Sequence, residues 1–161
     1  GDHCPFVYGK ALRADTRTPG QIDVYGSSGV VGSHNKPLAK ANAIIVGRKG
    51  NVGSVFWANN DFWPIDTVYY VTPEKSDYFT YFALLNVTFI NTDVAVPGLN
   101  RDFAQSRILS IPNDDLLADF NLKASGFMQQ IRLLTSANKK LAKARDLLLP
   151  RLMDGRIPVK V

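Results

Sequence analysis

The side chains in this sequence that are best suited to chemistry are hydrogen-bonding and positively charged groups on glycine-rich stretches. One stretch, Gly47–Gly53, carries Arg48, Lys49 and Asn51 between its glycines. Glycine lets the backbone approach a ligand closely, and guanidinium, ammonium and amide groups are suited to phosphates and base edges. A tight turn with solvated charges accounts for the same residues, so both interpretations stay open.

An earlier stretch, Gly26–Gly32, has its glycines at every third position. This spacing differs from the common phosphate-loop patterns, and no helical pattern follows it, which disfavours a nucleotide site. A turn-rich surface loop is the simpler interpretation, with Tyr25, Ser27 and Ser28 as its hydrogen-bonding groups. The pair Asn100–Arg101 also lies beside a glycine. Like the basic stretch, it is open to two interpretations, a ligand contact or a turn with solvated polar groups.

Catalytic constellations are missing from the sequence. His3 and His34 are the only histidines and Cys4 is the only cysteine, so no group of side chains has the spacing of a metal site. No serine is framed as a nucleophile elbow. The chain is therefore predicted to be a non-enzymatic protein that binds no cofactor and no metal.

Short β-branched runs separated by turn formers predict the strands that position these groups. A strand over Ala43–Val46 and another over Ser54–Ala58 predict a hairpin that displays Arg48 and Lys49 at its tip. The other strands predicted from such runs are Ile22–Tyr25, Thr67–Thr72 and Ile108–Ile111.

One short helix is predicted over Asp77–Asn86, with Phe79, Phe82 and Leu85 on its apolar face. Strands and helices are mixed and no internal repeat is present. The sequence therefore predicts the α+β class, with residues 1–112 as a small mixed head and residues 113–161 as a long C-terminal coiled-coil helix and tail.

The long helix is predicted from Asn113 to Asp154, because apolar residues hold the d/a pattern of a coiled-coil seam over four heptads. Asn113 is suited to cap its start, Pro150 to break its hydrogen-bond ladder and Gly155 to provide a left-handed cap. Its length, roughly 50 to 60 Å at 1.5 Å per residue, implies that the seam meets another helix. The predicted helix–helix interface consists of Phe127, Ile131, Leu134, Asn138, Leu141, Arg145 and Leu148.

Polar residues interrupt this seam at Asn138 and Arg145. They either fix the register and the partner of the helix pair or lie at its solvent-exposed edge. Gly126 costs about 1 kcal/mol relative to alanine inside a helix, which leaves a kink beside it open. A second apolar stripe indicates a further partner surface, and its members are Leu133, Ala137, Ala144 and Leu147.

The positive charge is concentrated in the helical part. Residues 116–161 contain nine Lys and Arg against three Asp and Glu, whereas residues 1–115 contain ten against eleven. This excess is either a solvated helix face or a basic rod near nucleic-acid phosphates. No apolar run approaches the roughly 18 residues of a membrane span, and neither a signal peptide nor a disulfide framework is visible. A cytoplasmic location without membrane contact is therefore expected.

Several segments, taken together, resemble a known family. The runs VYGSSGVVGSHN, IIVGRKGNVGSVFW and FWPIDTVYYV are similar to a target recognition domain of type I restriction–modification specificity subunits. The closing segment, from IPNDDLLADF through LLTSANKKLAKARDLLLPRLMDGRI, looks like the spacer helix that follows such a domain. The glycine-rich runs and the RDLLLPRL ending in fixed order make the resemblance specific, and it covers nearly the whole chain.

The resemblance implies a protein that reads double-stranded DNA and does no chemistry itself. In this family two recognition domains each read one half of a split target, and two antiparallel spacer helices set the gap. Methyltransferase subunits that carry S-adenosylmethionine dock on this scaffold, and a translocating nuclease subunit joins them for restriction. Carried over to this chain, the resemblance assigns DNA contact to Tyr25, Ser27, Ser28, His34, Arg48, Lys49, Asn51, Asn100 and Arg101.

The sequence departs from the family in size. A full specificity subunit has two recognition domains and two helices, whereas this sequence has one of each and an ending typical of the C-terminus. It is therefore interpreted as the C-terminal half, and its seam predicts pairing with itself or with a second half. The alternative function is a non-enzymatic coiled-coil assembly adaptor with a peptide-binding head, and DNA binding by the head separates the two.

Overall fold

The computed structural model of the chain describes residues 3–90 and 98–157. It confirms the predicted α+β class, with short strands followed by a long C-terminal helix. The chain divides into two compact units, Gly1–Ala118 and Asp119–Val161. The strands are β1 (Val7–Tyr8), β2 (Ile22–Gly26), β3 (Gly29–His34), β4 (Ala43–Gly47), β5 (Val55–Ala58), β6 (Phe62–Pro64) and β7 (Val68–Val71). The α-helices are α1 (Tyr78–Leu85), α2 (Arg101–Gln105) and α3 (Asp114–Met153).

The strands form two sheets within the first unit. The larger sheet has the order β1–β7–β4–β5 and is antiparallel throughout. The smaller has the order β3–β2–β6, with β2 antiparallel to β3 and parallel to β6. Ile45 on β4 pairs with Phe56 on β5 and with Tyr70 on β7. The hairpin predicted around the basic glycine turn is therefore confirmed.

Strand β4 is buried on both faces, which explains its uninterrupted apolar sequence. Because side chains alternate along a strand, Ile44 and Val46 enter one core and Ala43 and Ile45 enter the other. Burying an isoleucine or valine stabilises the fold by about 1.5–3 kcal/mol, so the strand is held firmly from both sides. Large buried side chains around it are Phe6, Tyr69 and Leu99 in the first core and Phe62 and Val68 in the second.

The stretch Gly26–Gly32 is not the surface loop predicted from its glycines. Strands β2 and β3 form a hairpin in which Gly26 pairs with Gly29, so the turn consists of Ser27 and Ser28 alone. Gly29 has a φ of +96°, a conformation that side chains disfavour and glycine adopts freely. The glycine pattern therefore indicates a tight hairpin, and β3 continues past Gly32 to His34.

The predicted face of α1 is wrong. The helix buries Thr80 and Leu84, whereas Phe82 and Leu85 are exposed. Its sequence, YFTYFALL, is apolar on nearly every side, so periodicity alone does not identify the face that meets the core. Thr80 fits there because its hydroxyl lies 3.2 Å from His3 Nε2, which satisfies a buried polar group.

The strand predicted at Ile108–Ile111 does not form. No strand of the described residues pairs with this segment, and Ile108 is 94 % exposed. A β-branched run becomes a strand only where a sheet edge accepts its hydrogen bonds.

Helix α3 starts where the sequence predicted. The Oδ1 atom of Asn113 accepts a hydrogen bond from the amide of Leu116 at 3.1 Å, so the predicted cap is confirmed. The helix has 40 residues and runs without interruption past Gly126. At 1.5 Å per residue this corresponds to about 60 Å.

The helix continues through Pro150, the residue expected to break its ladder, and ends at Met153. A proline removes a single donor from the ladder, and the following residues still find carbonyl acceptors. Gly155 closes the helix end with a φ of +68°. Its amide donates to Leu152 at 3.1 Å and the next amide donates to Arg151 at 2.9 Å, which is a Schellman motif.

Candidate nucleic-acid interface

The turn between β4 and β5 is shaped by its glycines. The amide of Gly47 donates to the carbonyl of Ser54 at 2.7 Å, and the amide of Gly53 donates back to Gly47 at 2.9 Å. Gly53 has a φ of +77°, and a Cβ atom there would lie 2.8 Å from the Cβ of Phe89. The turn and its packing therefore require these glycines, and the polar side chains between them remain on its surface.

The structure brings Arg48 and Lys49 together with Asn100 and Arg101, about fifty positions later in the chain. The amide of Leu99 donates to the carbonyl of Arg48 at 2.8 Å, and Lys49 forms a β-bridge with Gly98. The hydroxyl of the buried Tyr69 donates to the carbonyl of Leu99 at 2.7 Å. Asn100 caps α2 through its Oδ1, which accepts from the amide of Phe103 at 3.1 Å. Arg101 is consequently the first residue of α2.

Two arginines of this group share one tyrosine ring. The guanidinium carbon of Arg48 lies 5.1 Å from the ring centroid of Tyr8, and that of Arg101 lies 5.3 Å from the same centroid. Arg48 is also 5.7 Å from the ring centroid of Tyr69, and its Nη1 donates to the carbonyl of Asp66 at 3.0 Å. We call Tyr8, Arg48 and Arg101 the arginine–tyrosine cluster.

Sequence reasoning missed Tyr8. It lies on β1, an edge strand of only two residues that pairs with β7, so no run of β-branched residues in the sequence indicates it. Tyr8 is 47 % exposed, and its ring packs edge-on against Tyr69 with centroids 5.1 Å apart. A half-exposed aromatic ring flanked by two cations is a recognisable ligand surface only once the fold has assembled it.

Among the residues that the structure describes, the positive charge of the cluster has little nearby negative charge to balance it. Burial raises the pKa of Tyr69, and the hydrogen bond with Tyr8 acts in the same direction, although the nearby Arg48 opposes both. Tyr69 is therefore neutral at physiological pH and supplies no anion. Arg101 pairs with Asp102 at 3.4 Å, but both side chains are open to solvent, where such pairs contribute little.

A polar edge lies on the two hairpin turns next to this group. The Nδ2 of Asn51 donates to the Oγ of Ser28 at 3.0 Å. The Oγ of Ser54 donates to the carbonyl of Ser27 at 2.6 Å and contacts the carbonyl of Asn51 at 3.0 Å. The turn of the smaller sheet is thereby tied to the turn of the larger one, with Ser28 and Asn51 exposed on the surface.

Tyr25 and His34 lie in different surroundings from the other predicted contacts. The ring of Tyr25 packs edge-on against Phe62 with centroids 5.6 Å apart, and burial, followed by the charge of Asp23, raises its pKa. His34 is buried at the other end of β3, and its Nδ1 accepts from the amide of Thr18 at 3.1 Å. His34 is thus far from the polar edge along β3, whereas Tyr25 lies two positions before Ser27 but is partly buried against Phe56 and Phe62.

In the second unit, every residue predicted for the helix–helix interface is exposed. Arg145 forms a surface pair with Asp146 at 2.8 Å. A helix with this many exposed apolar side chains resembles one half of a packed pair. The large apolar members that are more than half exposed include Phe127, Ile131, Leu133, Leu134 and Leu141.

Neither a metal site nor a membrane span is found in the part of the chain that the structure describes. In residues 3–90 and 98–157, no three His, Cys, Asp or Glu side chains cluster closely enough to hold an ion. Within the same ranges, every helix is too short or too polar to cross a bilayer. Cys4 is buried, and this burial raises the pKa of its thiol to about 12.

Comparison with known proteins gives matches of two kinds, to a family model and to solved structures. A family model described as the type I restriction modification DNA specificity domain matches residues 1–115. The fold is similar to the crystal structure of a type I restriction-modification system S subunit from M. genitalium, with a TM-score of 0.72 and 20 % sequence identity. The alignment covers 92 % of this chain but only 43 % of that protein, so this chain spans less than half of its length. No curated protein matches at a significant level.

Proposed function

Because the chain belongs to the type I restriction modification DNA specificity domain family, we propose that it recognises a specific sequence in double-stranded DNA. The observation that carries this proposal is the convergence of basic and hydrogen-bonding side chains on adjoining turns of the first unit. Arg48, Lys49 and Asn51 lie on one turn, and backbone hydrogen bonds bring Arg101, about fifty positions later, beside it. The chain itself is proposed to be non-catalytic and to bind no cofactor.

The chemistry of these groups suits both parts of a DNA target. Cationic side chains neutralise phosphates and supply affinity, whereas amide and hydroxyl groups distinguish base edges in the major groove. Lys49 and Asn51 are exposed on a hydrogen-bonded turn, and Ser28 lies beside Asn51 on a second turn. Support by two sheets limits the entropy that these side chains lose on binding.

For α3 we propose the role that the family resemblance implies. The exposed heptad seam pairs with another helix, either in a second copy of this chain or in a second half-subunit, and the helix sets the distance between two recognition domains. Methyltransferase subunits that carry S-adenosylmethionine dock on this scaffold, and a restriction subunit joins them. The exposed apolar seam supports this proposal, as does the length of the M. genitalium protein, which is more than twice the length of the part that matches.

The experiment that tests the proposal is selection from a duplex pool of random sequence, followed by sequencing of the bound fraction. If two copies of the chain pair and each recognises one half of the target, the expected result is a short motif that is enriched twice, in opposite orientation and at fixed spacing. Enrichment of no motif, with salt-sensitive binding retained, would contradict sequence recognition and leave a general DNA-binding protein. A control in which Asn51→Ala and Lys49→Ala are combined is expected to lose the motif while α3 still self-associates.

A further inference from the structure

The arginine–tyrosine cluster holds its cations close to the protein surface. Arg48 is fixed by a hydrogen bond from Nη1 to the carbonyl of Asp66 and by its position over two tyrosine rings. The guanidinium carbon of Arg101 lies over the same Tyr8 ring, 5.3 Å from its centroid. Neither guanidinium therefore extends freely away from the domain.

This short reach decides which part of DNA the cluster suits. A base edge lies at the floor of the major groove, which is about 8.5 Å deep, and reading it requires a guanidinium with a free fork of donors. One nitrogen of the Arg48 guanidinium, Nη1, already donates to the carbonyl of Asp66, and the side chain is half-buried. Phosphates project from the surface of the duplex, where a cation held against the protein meets them without extending.

The number of cations leads to the same conclusion. The distances to the shared centroid place the two guanidinium carbons no more than about 10 Å apart, which is comparable with the Debye length at physiological salt. At this distance salt screens their mutual repulsion only in part, and an anion between or beside them offsets what remains. The only carboxylate that forms an ion pair with the cluster in the described residues is Asp102, which is exposed and adjacent in sequence to Arg101. A phosphodiester backbone carries negative charge that offsets this repulsion.

Arg48 is also prepared for binding before any ligand arrives. Ordering a long side chain on binding costs conformational entropy, and the contacts with Asp66 and the two tyrosines already restrict Arg48 in the folded chain. Tyr8 thus acts as a positioning residue that holds two cations, while the exposed Ser28 and Asn51 remain available for base edges.

From these observations, and resting on the proposed function, we infer that the arginine–tyrosine cluster binds backbone phosphates of DNA. It fixes the register of the domain on the duplex, and the neighbouring polar edge of Ser28 and Asn51 reads the bases.

The test compares Arg101→Gln in the full chain with a control of equal charge change, Arg13→Gln, whose arginine is largely exposed and pairs with Asp15. Binding is measured against the duplex selected by wild type and against a scrambled duplex of equal length, over a range of salt concentrations. Arg101→Gln is expected to weaken binding to both duplexes by the same factor, about tenfold or more. The slope of log affinity against log salt should become shallower by about 0.9 for each phosphate that the variant no longer neutralises. Arg13→Gln should change neither quantity.

Substitution of Tyr8 tests its positioning role separately. Tyr8→Phe keeps the ring and is expected to keep the wild-type salt slope, whereas Tyr8→Leu should resemble Arg101→Gln. Thermal melting of both variants establishes that the fold is intact. If Tyr8→Leu binds like Tyr8→Phe, the ring does not hold the cations for DNA.

The outcomes separate this inference from the proposed function. If Arg101→Gln relaxes one position of the selected motif and leaves the salt slope unchanged, the arginine reads a base and the phosphate role is overturned, although sequence recognition stands. If Arg101→Gln equals Arg13→Gln, Arg101 does not contact DNA and the phosphate role of the two-arginine cluster is overturned, although sequence recognition again stands. If wild type shows no motif but Arg101→Gln still lowers the salt slope, the phosphate role holds and sequence recognition fails. Absence of any DNA binding overturns both.

Discussion

Replacing Tyr69 with phenylalanine should reveal how strongly the fold holds the candidate interface together. The substitution removes the hydroxyl that donates to the carbonyl of Leu99 at 2.7 Å and that also interacts with Tyr8 and Arg48. Tyr69 and Leu99 are 1 % and 2 % exposed, so water does not replace the missing donor. A buried carbonyl left without a partner costs about 1–3 kcal/mol. Tyr69→Phe is therefore expected to lower the free energy of unfolding by that amount.

The effect should also reach the interface, because Leu99 joins Arg48 to the start of α2. The amide of Leu99 donates to the carbonyl of Arg48 at 2.8 Å, so loosening one side of this residue loosens the other. DNA affinity of Tyr69→Phe is expected to fall at temperatures where the domain is still folded. A local effect of this kind appears as an earlier decline in binding than in secondary structure during heating.

Urea denaturation followed by circular dichroism measures the first effect, with the slope on urea compared between variants to establish that the unfolded states match. Tyr70→Phe is the matched control, since Tyr70 lies next on the same strand and its hydroxyl has no hydrogen-bond partner in the described residues. Its ring packs edge-on against Phe62 with centroids 6.1 Å apart. Equal midpoints for Tyr69→Phe and Tyr70→Phe would refute the assignment of this energy to the Leu99 carbonyl.

Three further predictions concern other parts of the chain. Burial raises the pKa of Cys4 from 9.0 to about 12, so the folded state favours the protonated thiol. The free energy of unfolding should therefore keep its full value below pH 9 and fall as the pH rises from 9 toward 12. Iodoacetamide should accordingly label Cys4 at pH 8 only after denaturation, and rapid labelling of the native protein would contradict its burial. Gly126→Ala should stabilise α3 by about 1 kcal/mol, since a Cβ atom there meets nothing within 4 Å; an unchanged melting curve by circular dichroism would count against it. Leu134→Glu together with Leu141→Glu should abolish self-association in sedimentation velocity, whereas Lys140→Glu should not, and a dimer that survives both leucine changes would place the contact elsewhere.

The sequence predicted best those elements whose local pattern agrees with their burial. Strand β4 was predictable because a continuous β-branched run suits a strand buried on both faces. The start of α3 was predictable because Asn113 caps it through its own side chain. The hairpin around Arg48 and Lys49 was predictable from the glycines that its turn requires.

The sequence predicted least well the features that depend on distant partners. The buried face of α1 is chosen by the core and not by the helix, as Thr80 and Leu84 illustrate. Ile108 has a strand-like neighbourhood but no sheet edge to join among the described strands. At the end of α3, the Schellman motif beyond Met153 is a stronger stop than Pro150.

The candidate interface follows the same rule. Arg48 and Arg101 were identified separately by residue type, but Tyr8, which connects them, was not. Its strand is two residues long, and its role depends on contacts with residues about 40 and 93 positions away. Only the folded chain brings the three side chains together.

The hydrogen bonds between the two hairpin turns have a consequence for how a domain of this kind changes its target. Ser54 bonds to the backbone of the β2–β3 turn, and Asn51 bonds to Ser28 on that turn. Either turn transplanted alone into a related protein arrives without the partner that shapes it. New specificities should therefore arise when both turns are exchanged as one module, with the residues equivalent to Ser28 and Asn51 inherited together.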